Sequence, residues 1–67
     1  MIVTINGQRR ECADGMPLGT VMRSFNITTT AGIAIAVNER VVSRSAVDAF
    51  LLHDGDVVEI IRAVAGG

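Results

Sequence analysis

Asp54-Gly55-Asp56-Val57-Val58-Glu59-Ile60-Ile61-Arg62 is the stretch that decides the fold. The aspartate–glycine pair is turn chemistry. Val57 to Ile61 then runs as an apolar, β-branched segment, the composition of a strand. With Val58 and Ile60 in the core, the two-residue period puts Val57, Glu59 and Ile61 on the opposite face. The chain continues as Ala63-Val64-Ala65-Gly66-Gly67. No side chain in that run is a nucleophile, acid, base or metal ligand. Any chemistry at this end belongs to the α-carboxylate of Gly67.

An apolar last strand needs partners. Residues 1–6 are rich in β-branched side chains and read as a first strand. Asn6-Gly7 is the strongest short hairpin signal, and residues 8–12 return as a second strand. Arg9, Arg10 and Glu11 place that strand at an edge, where charge discourages pairing with other chains. Cys12 closes the hairpin facing the core. Pro17 suits the first turn of a helix. Leu18, Val21, Met22 and Phe25 fall on one helical face, and Asn26 is suited to end the helix in the left-handed conformation. Such a helix, about two to three turns long, is marginal alone and must pack on a sheet. Residues 28–32 read as a loop. Ile33-Ala34-Ile35-Ala36-Val37 alternates large and small, so Ile33, Ile35 and Val37 face the helix and Ala34 and Ala36 make a flat outer face. Asn38-Glu39 turns the chain into a short strand, Arg40-Val41-Val42. Residues 45–52 read as an irregular or short-helical crossover.

The order is therefore hairpin, helix, strand, short strand, crossover, strand. A mixed sheet with the first and last strands parallel at its centre and one helix across one face satisfies it, given right-handed connections. This is an α+β, β-grasp (ubiquitin-like) architecture of four to five strands with one main helix. Residues 1–63 form the domain, and residues 64–67 form a flexible C-terminal tail ending in Gly-Gly.

Bulk properties bound the function. The 67 residues suffice for one small domain, and 49% hydrophobic against 19% charged residues is too apolar for disorder. With two phenylalanines as the whole aromatic complement, the chain lacks a stacking platform for nucleic acid. Its formal charge of −1 gives no attraction to DNA or a membrane surface. Every basic side chain is arginine, so no lysine is available for a Schiff base or an isopeptide bond. The lone Cys12 fits a reducing compartment. No apolar run reaches the roughly 18 residues of a membrane helix. We expect a cytoplasmic protein, monomeric when free.

The opening strand closing on Asn6-Gly7, Cys12, Ala36-Val37-Asn38-Glu39 before Val41-Val42, Arg44, Asp54-Gly55-Asp56-Val57-Val58-Glu59-Ile60 and the terminal Gly66-Gly67 together resemble the sulfur carriers of thiamine biosynthesis, the ThiS family. The resemblance spans essentially the whole chain. Departures are Ser43 where family members often have proline, Val47 near a frequent tryptophan, and Ala65 in place of a third glycine. The absent tryptophan points to altered packing of the crossover and an altered partner surface.

The resemblance implies a carrier rather than an enzyme. A partner adenylating (E1-like) enzyme uses ATP to activate the Gly67 carboxylate. A sulfur transferase or cysteine desulfurase system converts it to a thiocarboxylate, and thiazole synthase receives the sulfur. No cofactor is expected on the chain itself. Alternatives are a carrier for another pathway, of the molybdopterin synthase small-subunit type, a ubiquitin-like protein modifier, or a non-catalytic binding module with incidental glycines.

Gly66 lacks a Cβ and Ala65 is small, so the tail is thin enough to thread a narrow channel. For partner docking the candidates are Ala36 and Ile61 on the outer face, rimmed by Glu59, Arg40 and Arg62, with Arg44 added by the resemblance. Cys12 reads as a structural residue rather than a reactive thiol. His53 has no second histidine or cysteine nearby for a metal site. Asp54 and Asp56 lack the remaining positions of a calcium loop.

Overall fold

The computed structural model describes residues 1–27 and 32–62. Strands β1 (Ile2–Ile5) and β2 (Gln8–Glu11) form the opening hairpin. Its turn has Asn6 at φ 48° and Gly7 at φ 82°, the paired left-handed conformations that match the twist of a two-residue hairpin. Helix α1 (Leu18–Ser24) follows, then β3 (Ile33–Val37), β4 (Arg40–Val42), a 3₁₀ turn (Arg44–Ala46) and β5 (Val57–Arg62). The five strands make one sheet in the order β2-β1-β5-β3-β4. β5 is central, parallel to β1 through Thr4↔Val57 and Ile5↔Val58, and antiparallel to β3 from Val37↔Val58 to Ile33↔Arg62. This is the expected mixed sheet with its parallel central pair. β2 lies at an edge, as its charges require, with all four residues exposed.

The core lies between the sheet and α1. Leu18, Val21 and Met22 from the helix join Val3, Ile35 and Val58 from the central strands, all essentially sealed from water. α1 has seven residues, too few to hold itself together in water. Its stability comes from that apolar face.

Both helix ends are satisfied by backbone. Pro17 is the N-cap residue, one position earlier than the first-turn site expected for it, and offers no capping side chain. The crossover supplies the missing acceptors instead. Leu18 N–H donates to Phe50 O at 2.7 Å and Gly19 N–H to Val47 O at 3.1 Å. A Cβ at position 19 would meet the exposed Asp48 carboxylate, which would have to move aside from its contact with Arg23. At the other end Asn26 is left-handed, φ 63°. Ile27 N–H donates to Met22 O and Asn26 N–H to Arg23 O, each at 3.0 Å. These bonds form the Schellman closure for which Asn26 is suited.

The crossover is irregular, as expected, and is fixed by Val47 and Leu52, which are buried. Val47 belongs to the core cluster. Cys12 is half-buried against the core. Among the described residues no helix is long and apolar enough to cross a membrane.

Candidate functional site

β5 is the strand from which the C-terminus departs, and both neighbouring turns reach across to hold it. On the β3 side, Asn38 (φ 51°) opens a left-handed turn. Its N–H donates to Val57 O at 2.8 Å, its Oδ1 accepts from Val57 N–H at 3.0 Å, and its Nδ2 donates to Asp56 Oδ1 at 2.9 Å. On the β1 side, Thr4 N–H donates to Asp56 O at 2.9 Å and Asn6 N–H to Val58 O at 3.0 Å. The β1 main chain then reverses at Gly7. The Asn6 side chain takes over: Nδ2 donates to Ile60 O at 3.2 Å, and Oδ1 accepts from Ile60 N–H at 2.8 Å.

The two faces of β5 differ sharply. Val58 and Ile60 are buried, whereas Val57 and Ile61 are 43% and 61% exposed. Ala36 is registered opposite Glu59 and Ala34 opposite Ile61, so the four share the outer face. Val41, opposite Ala36 on β4, extends that face and is 83% exposed. Ile2 adds a further exposed apolar residue at the far end of β1. The outer face is thus broader than Ala36 and Ile61 alone, apolar across three strands, with the carboxylate of Glu59 near its middle.

The arginine rim needs correction. Arg62 is opposite Ile33 and has the parity of Ile60, which puts it on the helix side, where it lines a depression with Phe25, Ile27 and Ile60. Arg40 is opposite Val37 and is likewise on the helix-side parity. The two-residue period that puts Ile61 on the outer face puts Arg62 on the helix side, where it stays exposed. Arg44 lies beside the outer face, lining a shallow depression with Gly32, Ala34 and Ile61, and Arg9, opposite Thr4, has the outer-face parity on β2. Val41, Ala34, Val57 and Ile2 are outer-face residues absent from the docking candidates; for Val41, its alternation with Val42 is the sequence signal that marks it.

Several candidates turn out to have backbone duties. Asp54 Oδ1 accepts from Ile2 N–H at 2.6 Å, and Asp56 Oδ2 accepts from His53 N–H at 2.8 Å. These carboxylates close the turn before β5. The Met1 ammonium donates to Cys12 O at 2.7 Å and Asp14 Oδ1 at 2.9 Å. The Asp14 hydrogen bond raises its pKa above the ordinary 8.0, against a smaller opposing effect of burial. Ala65, Gly66 and Gly67, and with them the boundary drawn at residue 63, lie outside the described residues.

A sheet with parallel central strands, a single helix on one face and a last strand running to residue 62 at the sheet's end defines a ubiquitin-like β-grasp protein. Comparison with known proteins narrows the class. The ThiS family model matches residues 3–67, and the chain belongs to that family. The sulfur carrier protein ThiS of Escherichia coli (strain K12) is 28% identical over 67 residues, covering all of both chains. The crystal structure of the thiamine biosynthesis protein ThiS from Geobacter metallireducens superposes with a TM-score of 0.82 at 26% identity, over the full length of both. A solution NMR structure of a thiamine biosynthesis protein from the same organism gives 0.75 at 26% identity, covering all of this chain and 88% of that one.

Proposed function

We propose that this chain is the sulfur carrier of thiazole formation in thiamine biosynthesis, and that the sulfur travels as a thiocarboxylate on Gly67. The observation that carries the reading is the family match, which runs through to residue 67. The strand leading to it ends beside an apolar outer face.

A carboxylate is a poor acyl donor, so it must first be given a leaving group. A partner adenylating enzyme does this with ATP: a Gly67 carboxylate oxygen attacks the α-phosphorus and pyrophosphate departs. A persulfide sulfur from a transferase or desulfurase system then displaces AMP to give an acyl disulfide. A thiol of that system attacks the donor-side sulfur, forming a disulfide and expelling the thiocarboxylate, which passes its sulfur to thiazole synthase. The carrier contributes no catalytic group. Its folded body gives each partner a large surface to bind, and that binding energy orients two reacting atoms far from the contact. The outer face formed by Ala34, Ala36, Val41 and Ile61, with Glu59 and Arg44, is the docking surface in this reading. These reactions draw on ATP, which fits a cytoplasmic setting.

Intact-mass spectrometry tests the proposal. Incubation with ATP, a matching adenylating enzyme and a sulfur source should exchange one carboxylate oxygen for sulfur. Deletion of Gly67, or one residue added after it, should abolish the exchange and leave the fold intact. Equal charging of the extended chain sinks the tail mechanism. Loss of molybdenum-enzyme activity with thiamine synthesis unaltered, on deletion of the gene, assigns the carrier to the other pathway.

A further inference from the structure

We infer that Asn6 is a positioning residue for the C-terminal acyl group: its carboxamide fixes the course of β5 where the strand leaves the sheet. The inference rests on the carrier reading above.

The β1–β5 register covers Thr4↔Val57 and Ile5↔Val58. Past Val58, the register of β5 continues with β3 alone, to Arg62. A strand end held on one edge opens easily. Asn6 supplies the missing second edge. Its amide nitrogen and oxygen engage the carbonyl and N–H of the same residue, Ile60, two positions before the strand ends. A main-chain neighbour in a continued strand would offer the same donor and acceptor. A carboxamide carries both side by side, whereas a carboxylate offers acceptors only. Asn6 also tolerates the left-handed backbone the hairpin turn demands, φ 48°. One residue therefore reverses β1 and secures the end of β5.

The consequence lies in where the arm is anchored. A partner bound to the outer face fixes the body of the domain, but the acyl carbon is five residues beyond Arg62. Release of the second edge at Ile60 lets the end of β5 open, which lengthens the unanchored arm and lowers the effective concentration of the acyl group at the partner's reacting atoms. Misplacement of a reacting group by about 1 Å can cost on the order of a hundredfold in rate.

The test compares the wild type with Asn6→Gly and Asn6→Asp. Glycine keeps the turn and removes both bonds. Aspartate keeps the turn and the acceptor for Ile60 N–H but loses the donor. Amide exchange at Ile60 is measured with that at Val58 and Ile35 as controls for the fold, and thiocarboxylate formation is followed with the matching adenylating enzyme. For Asn6→Gly we expect Ile60 to exchange roughly fivefold faster, the effect of about 1 kcal/mol. We expect kcat of charging to fall roughly tenfold with KM within about twofold of wild type. Asn6→Asp should lie between, and it tests the inference alone if the glycine variant does not fold. Unchanged Ile60 exchange overturns the inference. So does a wild-type kcat, or a rise in KM at constant kcat, in a folded variant. If the wild type itself is not charged, the carrier reading and this inference fall together; if only the variants behave as wild type, the inference alone falls.

Discussion

Asn6, Asn26, Asn38 and Glu39 are the non-glycine residues with positive φ among the described ones. Asparagine accepts this conformation readily, and each of the three asparagines does something definite with it. Asn6 makes a hairpin turn and clips Ile60, Asn26 closes the helix, and Asn38 clips Val57. Glu39 (φ 68°) is the costly member. Left-handed backbone costs an L-residue roughly 1–2 kcal/mol, against about 0.5–1 kcal/mol of extra chain entropy for glycine. Glu39→Gly should therefore raise stability by roughly 0.5–1 kcal/mol, seen as a higher denaturation midpoint at unchanged slope. The turns at Asn6-Gly7, Asn26 and Asn38-Glu39 are legible in the sequence because turn chemistry is local. The second duty of Asn6 is not, since its partner is 54 residues away and no pattern in either segment encodes the pairing. Met1 makes a pH-dependent contribution. Its ammonium pKa is raised in the folded state, first by the Asp14 hydrogen bond. The stabilisation is complete below the unfolded pKa near 8.0 and is lost as pH climbs through the folded value. Denaturation midpoints should decline in that alkaline window for the wild type, and less so for Asp14→Asn.

Among the elements, the crossover does most that its sequence does not announce. Its apolar residues are visible, but the irregular backbone hides which of them point inward. Leu52 is fully buried, while its neighbour Leu51 is 53% exposed. Leu52→Ala should cost about 2–5 kcal/mol, much of the stability of a domain this small, and abolish a cooperative transition at moderate temperature. Leu51→Ala should stay within about 0.5 kcal/mol. Similar losses in thermal unfolding of the two variants would contradict this assignment of faces. The helix is readable from its period, yet its N-terminal partners are not, because Phe50 and Val47 contribute carbonyls and a carbonyl has no residue signature. The arginine rim fails for a different reason. Nearness in sequence to Ile61 does not put Arg62 on the same face, because adjacent strand residues point oppositely. Arg40 is placed by its register with Val37, which its own strand does not reveal.

Over the whole molecule, one face of the sheet is buried against the helix and the other leaves apolar residues exposed. Because Ile61 is exposed on the outer face, Ile61→Arg should leave the denaturation midpoint nearly unchanged. It should raise the KM of charging roughly tenfold or more if that face is the docking surface. Asn6→Gly should act on kcat instead, so steady-state kinetics of the two variants separate the handle from the aim. An Ile61→Arg protein charged with wild-type KM removes the outer face from the reading. The fold itself is open to sequence reading because the first and last strands are both apolar and the hairpin and helix signals are local. Which surface residues stand together is a matter of register, which the sequence leaves implicit.

The parallel pairing of β1 and β5 has a mechanical consequence. Parallel strands put the start of β1 at one end of the sheet and the exit of β5 at the other. A pull on the two chain ends therefore slides β1 along β5. The bonds Thr4 N–H to Asp56 O, Asn6 N–H to Val58 O and the Asn6–Ile60 pair are loaded together in shear rather than opened one by one. Forced unfolding reports the barrier rather than the equilibrium. The domain should accordingly resist end-to-end tension more strongly than its modest size implies, and Asn6→Gly should yield at lower force in a single-molecule pulling experiment.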